Sequence, residues 1–280
     1  MTGIKDFCRR FARNKAALLG LAILVAILGM AALADVFFPE DPWDMVAQPL
    51  LWPGADRQFP LGSDLMGRDL MSALFHGARV SLLFGFSATL AALAIGVPLG
   101  ALTGYFGGRT DSLLMSATEL FQTIPPFILA VVLVAILTPS AVTIVLAIAM
   151  VSWPGVARLV RAEFMSLRSR EFVQAGIVVG MGDARIIVTQ ILPNALGPII
   201  VSASLMVATA ILLEASLAFL GLGDPNLMSW GTIIGVGRDA LRTAWYIAAL
   251  PGIAILLTVL SLNLVGEGLN DALNPRLRNR

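Results

Sequence analysis

Apolar residues along this chain do not alternate with polar ones but run together, in six stretches near residues 16–34, 80–104, 113–137, 141–160, 197–221 and 247–266. Each approaches the roughly 20 residues needed to cross the hydrocarbon core of a bilayer. A backbone in lipid must satisfy its own hydrogen bonds, so such runs predict helices, and the chain reads as an all-α membrane protein with six transmembrane helices. Residues 35–79, punctuated by Pro39, Pro42, Pro49, Pro53 and Pro60, read as an ordered but irregular excursion between the first two spans. At its end Asp69 is placed to cap an amphipathic run, Leu70, Met71, Leu74, Phe75 and Ala78, predicted to lie as a short helix at the outer interface. The predicted organisation is an N-terminal stretch 1–15, a first transmembrane helix 16–34, the external segment 35–79, a core of five spans over 80–268 and a tail 269–280.

Composition agrees: 58% of residues are apolar and 13% charged, which excludes an ordinary soluble domain. The formal net charge of +1 conceals an uneven distribution. Lys5, Arg9, Arg10, Arg13 and Lys15 precede the first span and put the N-terminus in the cytoplasm. With alternating loops, fourteen basic residues fall inside and only Arg57, Arg68, Arg79, Arg238 and Arg242 outside, where the 35–79 segment adds seven acidic residues. Both termini are then cytoplasmic. A cleavable signal peptide ending near Ala32-Leu33-Ala34 is the rival reading of the first span, but an apolar core of about 19 residues exceeds the usual 7–15.

The chemistry-bearing residues are few. Cys8 is the only cysteine and His76 the only histidine, so no disulfide framework and no His/Cys metal cluster can form. No Gly-x-Ser-x-Gly elbow, His-Glu-x-x-His helix or Gly-x-x-x-x-Gly-Lys-Ser/Thr loop occurs, which disfavours an intramembrane hydrolase and leaves no phosphate cradle. No catalytic residue, metal or cofactor is assigned, and nothing points to nucleic acid. Asp64 and Asp69 read as exposed carboxylates, solvated and paired beside Arg68. Within the spans only Glu119 and Glu214 are acidic; an ionised group facing lipid is strongly disfavoured, so both must face protein or water, either along a translocation path or hydrogen-bonded between helices. Pro98, Pro125-Pro126, Pro154 and Pro251 predict kinks, and the glycines of 104–108 and 231–237 suit turns or close helix contact.

The longest cytoplasmic loop, about 158–198, is amphipathic. Phe164, Leu167, Val173, Ile177 and Val178 repeat at helical spacing until Gly180-Met181-Gly182 breaks the helix. Asp183 is a candidate N-cap for a second short helix carrying Ile186, Ile187, Ile191 and Leu192, which Pro193 and Pro198 limit or kink. The run Glu171-Phe172-Val173-Gln174-Ala175-Gly176-Ile177-Val178-Val179-Gly180, followed after nine residues by Gln190-Ile191-Leu192-Pro193, resembles the Glu-Ala-Ala loop of ATP-binding-cassette importer permeases. In that register the family's Glu falls at Gln174, its two alanines at Ala175 and Gly176, its glycine at Gly180 and its Leu-Pro at Leu192-Pro193. Gln174 and Gly176 depart from the pattern; an amide at 174 forgoes an ion pair but still accepts a hydrogen bond. The resemblance implies a coupling loop, with Met181 and Asp183 at its turn, that docks on a cytosolic ATPase.

Leu61-Gly62-Ser63-Asp64-Leu65-Met66-Gly67-Arg68-Asp69, Ser229-Trp230-Gly231 and the tail Gly266-Glu267-Gly268-Leu269-Asn270-Asp271-Ala272-Leu273-Asn274-Pro275-Arg276 are similar to segments of the dipeptide, oligopeptide and nickel branch of those permeases. What the resemblance implies is a type I importer fold in a bacterial inner membrane. It implies that one copy makes half of a pathway with a homologous permease, two ATPases that use ATP and Mg, and an external substrate-binding protein. The substrates it implies are di- and oligopeptides, with nickel chelates or glutathione carried by the same architecture as the alternative. An ion-coupled secondary transporter is the alternative without an ATPase.

Overall fold

The computed structural model describes residues 10–273. Cys8, the basic residues Lys5 and Arg9, and the tail from Asn274 through Arg276, Arg278 and Arg280 lie outside the described residues. Among those described there is no β-strand, only the isolated bridges Met45–Arg68 and Ser63–Asp69. The long helices are α1 (Lys15–Ala32), α2 (Leu70–Phe106), α5 (Ala141–Arg168), α7 (Leu192–Phe219) and α9 (Tyr246–Leu273), and each is long and apolar enough to cross a membrane. Between them lie α3 (Gly108–Gln122), α4 (Pro126–Leu137), α6 (Glu171–Val178) and α8 (Trp230–Gly237).

The stretch 113–137 is not one helix: α3 and α4 meet at an angle of 80°. A residue before proline is driven out of the α region, and Pro125, preceding Pro126, takes φ −54° and ψ 129°. Twelve residues of α4 span only about 18 Å, so α3 and α4 cross together or not at all. Pro98, Pro154 and Pro251, preceded by residues that stay helical, lie inside helices that continue past them.

The separate interfacial helix expected before the second span does not exist. Asp69 does cap the helix, accepting from the backbone N–H of Met71 and Ser72, but α2 then runs unbroken to Phe106. No breaker separates Ala78 from Val80, and the apolar face finds protein rather than lipid headgroups: Leu70, Leu74 and Ala78 are buried in one cluster with Trp230, Ile233 and Tyr246. The Trp230 indole donates to Leu74 O at 3.0 Å, and its backbone N–H to Ser81 Oγ. Burial also pushes the Asp69 carboxyl pKa upward, against the lowering effect of its two backbone donors.

Asp64 is likewise not exposed. Only 5% of it reaches the surface, and its carboxylate accepts from the backbone N–H of Met66 and Arg68 at 2.8 and 2.9 Å. Gly62 and Gly67, at φ +76° and +83°, close this turn, and the Tyr246 hydroxyl ties it to the bundle by donating to Leu51 O at 2.9 Å. The acidic pair is structural: one residue orders a turn, the other caps a helix.

The bundle is built on α2 and α5. Gly96, Gly100 and Gly104 recur every fourth residue on α2, where a Cβ would run into Val156, Val160 and Phe164 or the backbone of Trp153, Ala157 and Arg161. Small residues on one helical face let two backbones approach, which replaces hydrophobic drive as the source of packing in lipid. On the other flank α1 lies against α9, with Gly20 beneath Leu264 and Gly268 beneath Ala17. The Asn14 side chain caps α1 and donates to Asp271 at 3.1 Å, so the two ends of the described chain sit on one side, as an even number of crossings requires.

Candidate functional site

The loop between α5 and α7 forms an ordered elbow. Its first limb is not continuous with the preceding span: α5 ends at Arg168, Ser169 and Arg170 make a turn, and α6 starts afresh at Glu171. Glu171 stands in the first turn of α6, where a carboxylate is favoured by the helix dipole. Gln174 is exposed and its amide donates to Arg168 O at 3.0 Å, which clasps the turn. Helix α6 ends in a Schellman motif: Met181 N–H donates to Gly176 O and Gly180 N–H to Ile177 O, with Gly180 left-handed at φ +82°.

This geometry explains the residue types. Gly176 is buried, and a Cβ there would press within 3.3 Å of Met181 Sδ and Gln190 Nε2. Met181 Sδ in turn accepts from Gln190 at 3.1 Å, so the small residue and the sulfur hold the two limbs together. Gly180 has open space around it, and only its backbone angle demands glycine. Ala175 is exposed on the outer side of α6.

Asp183 is not an N-cap; Gly182 occupies that position and Asp183 opens the single turn Asp183–Ile186. Its carboxylate is engaged elsewhere, accepting the Tyr105 hydroxyl at 2.7 Å from the end of α2. Arg168 lies 5.6 Å over the same tyrosine ring. The second limb is not a separate helix either: a π-turn, Ile187–Ile191, carries it into α7, with Leu192 and Pro193 in the first turn, where proline is tolerated. Val173, Ile186 and Ile191 are fully buried with Val160, Phe164 and Ala195, so the elbow is seated on α5 and α7 as part of the bundle. Its apex is bare: Val178 and Val179 are 86% and 82% exposed.

The two acidic residues within the spans are placed very differently. Glu214 is 1% exposed near the end of α7, with the Ser229 hydroxyl at its carboxyl and Oε2 without a partner among the described residues. Glu119 is exposed on α3. Helix α3 is pinned by Asp111, whose two carboxylate oxygens take the Arg161 fork from α5 at 2.5 and 2.6 Å. Sequence reading missed this pair, the Tyr105–Asp183 link and Gly96 and Gly100. Only the glycines left a readable signal, their four-residue spacing; the others are joined across 50 and 78 positions.

The described residues form a helical bundle with an ordered elbow and a broken span, the architecture of a polytopic membrane protein. The profile of the family described as binding-protein-dependent transport system inner membrane component matches residues 96–279, and that of the N-terminal transmembrane domain of oligopeptide transport permease C matches residues 3–53. Among curated relatives, the di/tripeptide transport system permease protein DppC of Pseudomonas aeruginosa is 43% identical across 99% of this chain and 93% of its own length. The dipeptide permease DppC of Escherichia coli is 41% identical over 99% of the chain and 95% of its own length, and the oligopeptide permease OppC of Bacillus subtilis 37% over 98% and 90%. The chain belongs to the binding-protein-dependent inner membrane component family, the permeases of ATP-binding-cassette importers. A solved structure of the MetNI methionine transporter in inward-facing form superimposes with a TM-score of 0.61 at 17% identity, covering 73% of this chain and 98% of that one, and shares the type I fold.

Proposed function

We propose that this chain forms one half of the translocation pathway of an importer for di- and oligopeptides, pairing with a homologous permease in a bacterial inner membrane with both termini cytoplasmic. An external binding protein delivers the peptide, and two cytosolic ATPases, using ATP and Mg, supply the energy. The elbow 171–193 is the ATPase-docking element. The observation that carries this reading is the apex: two adjacent valines almost fully exposed at the tip of a Schellman turn whose limbs are anchored by the buried Val173, Ile186 and Ile191. Movement of the docked ATPase reaches α2 through Asp183 and Tyr105, and reaches α5 and α7 through the buried isoleucines.

The test is reconstitution of the chain with the other subunits in proteoliposomes, with peptides, glutathione and nickel offered in separate arms. ATP-dependent uptake of peptides is the expected result; uptake only of nickel or glutathione, or uptake driven by an ion gradient without ATP, overturns it. Within that system, replacing Val178 and Val179 together by Asp is expected to reduce co-purification of the ATPases at least about tenfold, since each buried aliphatic side chain contributes about 1.5–3 kcal/mol. ATPase retention at the wild-type level would remove the apex from the interface. Tyr105→Phe keeps the ring but deletes the hydroxyl donor. ATPases should stay bound while peptide moved per ATP hydrolysed falls a few-fold, in keeping with the roughly 1.5–3 kcal/mol of a hydrogen bond to a charged group; an unchanged ratio would free this contact from any part in transmission.

A further inference from the structure

The helix that precedes the break in the third span carries an exposed carboxylate, Glu119, a group that lipid would not tolerate. Ser112, Ser116, Glu119 and Thr123 follow one another at i, i+4, i+7 and i+11, so they share one face of α3 and its extension, and all four are exposed. The depth of this face is fixed by the neighbouring span. At one end of α3, Asp111 grips Arg161; near the other, the Phe121 ring packs on Trp153 at 5.5 Å, close to the middle of α5. Glu119 lies between these two levels.

Exposed hydroxyls in a span need no special explanation. Thr209 and Ser216 on α7 return their hydroxyls to the backbone carbonyls of Met206 and Leu212 and so are satisfied within the helix. A carboxylate has no proton to return in this way and must find a donor, a cation or water. Glu119 has no ion pair among the described residues: Arg161, the cation whose field it feels, is already committed to Asp111 through two nitrogens. The formal charges of Arg161, Asp111 and Glu119 sum to one negative charge. One turn further along, at the bend itself, a cavity of about 260 Å³ opens between Phe121, Gln122, Pro126, Met150, Val151 and Pro154. No cluster of three or more potential metal ligands exists among the described residues, which disfavours a bare metal ion as the counter-charge.

We propose that the break in the third span is a substrate subsite, in which Glu119 pairs with the cationic amino group of a peptide in transit and the adjoining cavity receives an uncharged side chain. This rests on the importer reading above. The 80° bend sets the cavity at the end of α3, where Phe121 and Gln122, two and three residues beyond Glu119, line it against Pro126 and Pro154.

Cys8 is the only cysteine, so a Cys8→Ser background lets single thiols report on this face in the reconstituted complex. Ser116→Cys, with Ser112→Cys as a second reporter, should react with water-soluble thiosulfonates, the cationic reagent outpacing the anionic one by roughly fivefold next to an unpaired carboxylate. Adding Glu119→Gln should abolish that preference. Saturating dipeptide with binding protein and ATP should slow labelling at least about threefold by occupancy. The subsite is overturned if both thiols are inert, if charge preference does not depend on Glu119, or if peptide gives no protection. Parallel measurement of peptide uptake by the unmutated complex separates the two claims: intact uptake with any of these results removes the subsite alone, whereas absent uptake removes the importer reading.

Discussion

Gly180→Val is expected to cut ATP-driven uptake by roughly ten- to a hundredfold while the membrane bundle stays folded. The residue sits at φ +82°, in the left-handed region, with nothing within 4 Å of a Cβ, so the substitution meets no clash and acts through the backbone alone. Holding a β-branched residue there costs about 1–3 kcal/mol, which corresponds to about 5- to 150-fold in a coupled equilibrium. The strain falls on the hydrogen bonds from Gly180 and Met181 that close α6, so the elbow opens and the Val178–Val179 apex loses its fixed position. Gly180→Asn is the informative companion, because asparagine tolerates the left-handed region. It should retain most of the activity. The measurement is peptide uptake and ATP hydrolysis in parallel, with membrane content checked by quantitative blotting; Gly180→Val transporting at the wild-type rate would show that the turn geometry is irrelevant to coupling.

The second large effect is on assembly. Gly100→Leu should reduce the folded protein in the membrane about tenfold or more, whereas Gly155→Leu on the facing helix should be nearly neutral. At Gly100 an added Cβ meets the Ala157 carbonyl, Val160 Cβ at 2.7 Å and Arg161 N at 3.0 Å, so α2 and α5 must separate. Overpacking of this kind typically costs about 1–3 kcal/mol and more where backbone has to shift. Gly155 has nothing within 4 Å and an exposed position. Both substitutions add the same side chain to a glycine in a span, so hydropathy cannot explain a difference; thermal unfolding in detergent and recovery after purification would expose one. Equal tolerance at the two positions would mean that the α2–α5 contact does not hold the bundle together.

The sequence alone was enough for the membrane class, for the even number of crossings and for the position of the elbow glycine. Each depends on signals local to the chain: apolar runs as long as a bilayer is thick, basic residues gathered at alternate loops, and a residue type dictated by its own backbone angle. The broken third span was only half readable. Pro125-Pro126 marked a break, but its angle depends on Pro125 being extended, and the polar character of α3 was hidden by the wholly apolar α4 beside it. What tertiary structure decided is everything that joins distant positions. Whether Asp64 is buried, whether the run after Asp69 lies on a membrane or inside a bundle, and which partner Asp183 takes were set by Tyr246, Trp230 and Tyr105, residues from 78 to 195 positions away. A carboxylate carries no local mark of its future neighbours, so Glu119 and Glu214 look alike in the sequence. The folded chain encloses one against Ser229 and leaves the other open beside a cavity, because burial is a property of packing and not of the residue.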